Sequence, residues 1–477
     1  MKQKLTGETI KSWFTQNADI SCRSISVSNA QIHVFYIDCL IDKTYLSQNV
    51  INPLLRLKTA SNDHIKQLLS ACDVSTVSSK QDITNKILNG CAVIILNNAD
   101  SALAISAPNY STRSITEPPT SQVTKGPREG FVEDASINLS MLRRRIKSAN
   151  LAVENFVVGK QTQTKIAVVY LSNIADNKLI KTVTTKIQSI NIDGIIDSFY
   201  IESLLEEGKQ PFLRRLGNSE KPDVIASRIL EGRIAIIIDG SPIVLTAPFM
   251  LIEDLQSPED YYSIPPRASF VRLIRLLGLI LGFLLPGIYV SLQSFHYKVL
   301  PINFLVTLLS SIQGISFPPL IEILFVLFLF DILAEASARM PKLLGMALSI
   351  IGALVLGETT VSAGIISPPS IVVVAISSIM LFIVPEQVQQ VSLLRILFTV
   401  IGGIAGFYGL LMAFITLTTY LISTNGYGVP LLTPIAPSIK NDKQDAIIKK
   451  PLTDMTNRPF SISNKNITRY NPRGNKQ

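Results

Sequence analysis

Five carboxylates stand where carboxylates are costly. Residues 269–437 form a stretch of 169 residues with only 11 charges: Glu322, Asp331, Glu335, Glu358 and Glu386 against Arg272, Arg275, Lys298, Arg339, Lys342 and Arg395. Runs such as 359–385 and 396–439 carry no charge at all. In so apolar a setting an ionised side chain must face protein or water, so each is a functional candidate. Glu358 opens the polar patch Glu358-Thr359-Thr360-Val361-Ser362. Repeated around a symmetric assembly, Glu358, Thr359, Thr360 and Ser362 would form a ring of carboxylates and hydroxyls, the chemistry by which cation pores select charge. The other reading is a lone carboxylate at a loop or subunit contact. Asp331, Glu335 and Arg339 recur at i, i+4 and i+8 on one helical face, and Glu335–Arg339 has the favoured order for an intrahelical ion pair. That face serves either pairing or a cation path. Glu322 follows Pro318-Pro319 at a helix start, where the helix dipole favours an anion, and reads as structural.

These residues need helices to hold them. About 20 apolar residues span the hydrocarbon core of a bilayer. Segments 271–292, 318–338, 343–364, 369–385 and 394–422 have that character, the last with Gly402, Gly403, Gly406 and Gly409. Segment 301–315 is shorter and carries Asn303, Ser310, Ser311 and Gln313, which suits a re-entrant or interfacial helix. The expectation is five spans, or six if 301–315 crosses. With five, Arg339, Lys342 and Arg395 fall on the cytoplasmic side favoured for cations, but the basic tail falls outside; with six, both reverse. Arg267, Arg272 and Arg275 hold the start of the first span, and the domain before it, in the cytoplasm.

The fold class expected is an α/β cytosolic N-terminal domain of two related subdomains, followed by an all-α polytopic membrane domain. Residues 1–110 form the first α/β subdomain, with strand-like runs in 29–40, 92–96 and 103–106. Residues 111–155 are a linker and connecting helix, and 156–256 the second subdomain. DITNKILNGCAVIIL (82–96) parallels DVIASRILEGRIAIII (223–238), with Gly90 matching Gly232 and Ala107-Pro108 matching Ala247-Pro248. Residues 257–268 are a hinge, 269–437 the membrane domain and 438–477 a basic, flexible tail. The tail holds nine basic and three acidic residues, two-thirds of the net charge of +9. It reads as solvated, with attraction to anionic lipid headgroups as the rival and no nucleic-acid partner.

Enzyme chemistry finds little footing. The three histidines, His33, His64 and His296, fall in no metal-ligand spacing, and no GxSxG element is present. GPREG (126–130) lacks phosphate-loop spacing. No cofactor or metal is called for. Cys22, Cys39, Cys72 and Cys91 form no CxxC pair and suit a reduced compartment. The N-terminus lacks the apolar core of a signal peptide. Candidates for structural or coupling roles are Arg128 and Glu129 in GPREG, the run Arg143-Arg144-Arg145, and Glu259, Asp260 and Tyr261 at the hinge, together with Glu322 and Arg339. The arginine run reads as a phosphate or partner contact, or as a solvated helix face.

The succession GPREGFVED, LRRRIK, DGIIDSFYIE, LEGRIAIIIDG, QSPEDYY, SFH, FPPLIE, ARMP, GALVLG and GVPLLTPIAP, in order from Gly126 to Pro437, resembles the A subunits of GerA-type spore germination receptors. A close paralogue encoded with the stage V sporulation proteins shares these motifs. The resemblance implies an integral protein of the inner membrane of a bacterial endospore, with its N-terminal domain cytoplasmic. It implies a transporter-like B subunit that binds nutrient, a lipoprotein C subunit, and assembly of the A subunit into a homo-oligomer, a pentamer, with a cation-conducting pore. The sequence departs from the family pattern at Ala334, Ser337 and Glu358, where arginine, glycine and glutamine are usual. The alternatives are a stand-alone secondary transporter and a scaffold that docks receptor complexes.

Overall fold

The computed structural model describes residues 5–14, 17–27, 30–57, 61–69, 74–97, 99–108, 125–206, 212–315, 317–341, 345, 350–352 and 354–470. The linker, Cys72 and Lys342 lie outside them, as does part of the expected span 343–364.

Two apolar runs set the centre of each N-terminal sheet. CAVIIL and IAIII are buried along their whole length, so both faces of each strand need cover. The first sheet comprises β1 (Ile20–Val27), β2 (Ala30–Ile37), β3 (Val74–Val77), β4 (Cys91–Leu96) and β5 (Ala102–Ser106), in the order β1-β2-β4-β5-β3. The second comprises β6 (Leu151–Val158), β7 (Thr164–Leu171), β8 (Gly217–Ser219), β9 (Ile234–Ile238) and β10 (Val244–Ala247), in the order β6-β7-β9-β10-β8. The two orders correspond strand for strand, and every neighbouring pair is antiparallel.

The period-2 alternation of each central strand divides two cores. Ile234, Ile236 and Ile238 face α3 (Asn177–Ser189) and α4 (Ser198–Leu205), whereas Ala235 and Ile237 face α2 (Ala135–Arg145) and α5 (Pro222–Leu230). In the first sheet, Val93 and Ile95 face α1 (Lys80–Leu88), which occupies the place of α5. The edge strands β1 and β6 lie outside the expected strand runs. ISCRSISV is too polar to stand out, and LAVENFVV falls across the expected boundary at 155/156. Helix α2 likewise sits in the core of the second sheet through Leu139 and Leu142, so 131–155 belong to that half rather than to a connector.

The helical part starts at α6 (Pro265–Ser294), which is long and apolar enough to cross a membrane, as is the segment Pro385–Ser423. Between them lie α7 (Ile302–Ile312), α8 (Pro319–Arg339), a π-helical turn at Val355–Thr359 and α9 (Pro368–Leu381). Helix α7 has 11 residues, too short to cross a bilayer core upright.

The run Val388–Ser423 is not one straight helix. Gly406 has φ 65° and ψ −155°, which ends α10 (388–405) and starts α11 (407–423). A Cβ on Gly409 would stand 3.4 Å from the carbonyl oxygen of Ile401. Eight residues of unbroken helix would separate them by about 12 Å, so α11 folds back along α10. Leu410 accordingly joins Val391, Leu394 and Phe398 in one cluster with Phe283 of α6. Gly287 and Gly402 allow α6 and α10 to touch backbone to backbone: a Cβ on Gly287 would lie 2.6 Å from the Phe398 carbonyl oxygen. At its far end α11 returns to the sheets, where Leu421 packs against Leu213, Phe249 and Leu431.

The expected free tail is not what the structure shows. Residues 438–470 pack along the molecule, and Ala446, Met455 and Ile462 are buried. Its polar side chains find specific partners on the hinge and the second sheet.

Candidate functional site

The charged groups gather in two places. The first is the junction where the sheets meet α6. Ser257 and Asp260 cap the short helix Pro258–Tyr261 reciprocally, with the Ser257 N–H donating to Asp260 Oδ2 at 3.1 Å. The same carboxylate, 3% exposed, accepts from Arg272 Nε at 2.9 Å and Arg275 Nη1 at 2.8 Å. Arg272 Nη1 also donates to Asp445 Oδ1 at 2.9 Å and to the Ala446 carbonyl at 2.7 Å. Tyr261 completes the ring. Its hydroxyl donates to Asp445 Oδ2 at 2.8 Å, while the Arg272 guanidinium and Lys449 Nζ lie 5.5 and 5.1 Å from its ring centroid. Burial first, and then the Asp445 charge, push the Tyr261 hydroxyl well above its ordinary range, so it stays protonated as a donor. Glu259 is half-buried beside this ring.

Two buried acids that the sequence reasoning passed over extend the junction. Glu253 bridges Arg228 (3.1 Å) and Arg233, and accepts from the Met250 N–H at 2.7 Å. Burial opposes its ionisation, but the charges of Arg233 and Arg228 hold its carboxyl below the usual range. Asp254 pairs with Arg214 and accepts from Gln387 Nε2 at 2.5 Å, which ties it to the start of α10. The available signal was an acidic pair inside the apolar run LIEDL, directly before the hinge.

The GPREG segment reaches the same junction. Gly126 has φ +123°, and a Cβ there would lie 2.7 Å from the Tyr262 ring. The Tyr262 hydroxyl in turn donates to Asp223 at 3.1 Å. Arg128 is exposed, and Glu129 pairs with Arg145 at 2.7 Å. The three arginines of α2 separate. Arg144 is exposed, whereas Arg143 is 1% exposed and grips Asp19 through two bonds of 2.8 Å, with Asn17 at 3.1 Å. Arg143 therefore joins the second sheet to the first, and the run is not a uniform solvated face.

The second place is the helical part. Asp331 of α8 pairs with Arg395 of α10 at 2.6 Å, and Arg395 also donates to Ser378 of α9 at 3.0 Å. Arg395 is 1% exposed. Asp331 is thus held across helices, while Glu335 and Arg339 pair with each other at 2.5 Å on an exposed face. The three do not act as one string. Glu322, 2% exposed, accepts from the N–H and the hydroxyl of Ser367, both at 2.6 Å. Ser367 stands at the N-cap position of α9, so Glu322 sits between the N-terminal ends of α8 and α9. Glu358, Thr359 and Ser362 are exposed on and just after the π-helical turn, with Thr360 half-buried. Among the described residues no group of three His, Cys, Asp or Glu side chains could hold a metal ion.

The family model for the Bacillus/Clostridium GerA spore germination protein matches residues 8–461. The chain belongs to the GerA spore germination family. Spore germination protein KA of Bacillus subtilis is 35% identical over 463 residues, covering 95% of this chain and 85% of that protein. Spore germination protein B1 of the same organism is 31% identical over 460 residues, covering 95% of each. The crystal structure of the N-terminal domain of the A subunit of the Bacillus megaterium spore germinant receptor GerK3 aligns with 52% of this chain and 97% of its own, at 26% identity and a TM-score of 0.41. The junction described here joins the two parts of this GerA-family chain through LEGR, LIEDL, QSPEDYY and the tail.

Proposed function

We propose that this chain is the membrane subunit of a nutrient-sensing spore germination receptor, and that copies of it assemble, as a pentamer, around a cation-conducting pore. The partners are a transporter-like B subunit that takes the nutrient and a lipoprotein C subunit, in the inner membrane of the spore with the two sheets on the cytoplasmic side. The chain itself carries no catalysis in this reading. The observation that carries it is Glu358: a carboxylate exposed on one copy, within an apolar segment of a chain whose neighbours act in germination. In a bilayer that position calls for water or protein, and a ring of such groups supplies both.

The path of the chain supports six passes rather than five. Helix α6 leads away from the sheets. Glu322 and Ser367 meet at the far end, and Asp331 and Arg395 meet nearer the sheets, so α8 and α9 run back toward them and the chain between α8 and α9 has to return outward. Helices α10 and α11 add one pass each. Helix α7 stays at the far surface. Arg339 and the tail then both lie on the cytoplasmic side, as the positive-inside preference asks.

Spores carrying Glu358→Gln test the reading. Potassium release on nutrient addition should slow or change in its ion preference while the protein level is unchanged. Release indistinguishable from wild type removes Glu358 from the ion path.

A further inference from the structure

Residues 438–470 run from the hinge to the second sheet and are fastened at both ends. At the hinge end, both carboxylate oxygens of Asp445 are engaged, one by Arg272 of α6 and the other by Tyr261. Lys449 Nζ donates to the Asp260 carbonyl at 2.6 Å, and its N–H to Ser269 Oγ at 2.9 Å. In the middle, the Asp442 carboxylate accepts from the N–H groups of Phe460 and Ser461, each at 2.7 Å, which folds the segment back on itself. At the sheet end, Lys465 donates from its N–H to the Ile174 carbonyl at 2.9 Å, and from Nζ to the Ser172 carbonyl at 2.8 Å and Asn177 Oδ1 at 2.7 Å. Arg458 Nε donates to the Leu230 carbonyl, the last of α5, at 2.7 Å. The Asn464 carboxamide fills the space beside Gly232 that any side chain there would occupy.

We propose that this segment is a latch. It ties the second sheet to the cytoplasmic end of α6, so the sheets cannot turn about the hinge unless the tail lets go there, Asp445 from Arg272 and Tyr261 and Lys449 from Asp260 and Ser269. The reason is geometric. The hinge residues and α6 share one carboxylate, and the chain bearing it is anchored on the body that would move. Swinging that body either drags Asp445 out of the ring or tears Lys465 from the loop at 172–177. The latch follows from the contacts and does not depend on whether the chain conducts ions.

Hydrogen exchange on the full chain in lipid nanodiscs tests it, with wild type, Asp445→Asn, Lys465→Ala and the double variant. Release at one end should loosen the other. Each single variant should therefore raise exchange about tenfold both in the hinge, 257–264, and in the loop 172–177. The double variant should add little to the larger single effect, because a released latch cannot be released twice. Exchange that rises only beside each substituted residue, with effects that add in the double variant, overturns the proposal. Tyr261→Phe keeps the ring and removes only the donor to Asp445 Oδ2, so it replaces Asp445→Asn if that variant does not fold, with the same expectation at both ends. The readout is protection rather than ion flow, so its outcome stands apart from any test of conduction.

Discussion

At the scale of single residues, burial decides which charges matter. Arg143, Arg144 and Arg145 are equivalent letters in the sequence, yet only Arg143 is withdrawn from water onto Asp19. Nothing in the run announces this, because the partner lies more than a hundred residues away. Arg143→Ala strands a buried carboxylate and should cost about 3–5 kcal/mol, read as a lowered midpoint of thermal unfolding. Arg144→Ala, at the neighbouring exposed site, should lower that midpoint by much less than Arg143→Ala does. Glu202 of α4 makes a pH-dependent case. Burial first, opposed by Arg214 and reinforced by Glu206 and Asp197, raises its carboxyl from 4.5 to about 7. A raised carboxyl stabilises the fold below its unfolded value, and that stability is lost as pH rises through its folded one. Between pH 4.5 and pH 7 the wild type should therefore lose on the order of 3 kcal/mol from this group. Glu202→Gln should flatten that part of the stability profile and melt higher than wild type at pH 8. An unchanged profile would remove Glu202 as its source.

At the scale of elements, glycine chemistry shapes the helical part. The sequence shows four glycines between 402 and 409 and licenses close approach, but it reads equally well as one long span. What it conceals is which glycine leaves the helical region. Gly406 does, at φ 65° and ψ −155°, a conformation essentially reserved for glycine. Gly406→Ala should cost about 1–3 kcal/mol, seen as earlier thermal aggregation of detergent-solubilised protein. Gly402→Leu should be worse, because a Cβ already meets the Gly287 carbonyl oxygen at 2.5 Å. The Glu335–Arg339 pair was legible from its i, i+4 spacing; the Asp331–Arg395 pair, between helices, was not.

At the scale of the whole molecule, the duplicated N-terminal sheets were legible because each half repeats the same run of helix, glycine turn and apolar strand. The junction was legible only in its hinge residues, since its other half comes from the tail. Composition made that tail look free: its charge is high, and its few apolar residues show no period. Its docking fixes the relation of the two ends of the chain. A cysteine at Lys450 and one at Lys298, in a background without other cysteines, should be labelled from opposite sides of a sealed vesicle. Labelling of both from one side would contradict the six-pass path.

The central claim is that assembled copies conduct cations past Glu358. Single-channel recording of the purified full chain in planar bilayers, with and without its receptor partners, addresses it directly. Discrete cation-selective openings are expected, with Glu358→Gln reducing selectivity for cations over anions. No conductance in any assembly, or openings whose selectivity ignores Glu358→Gln, would contradict it.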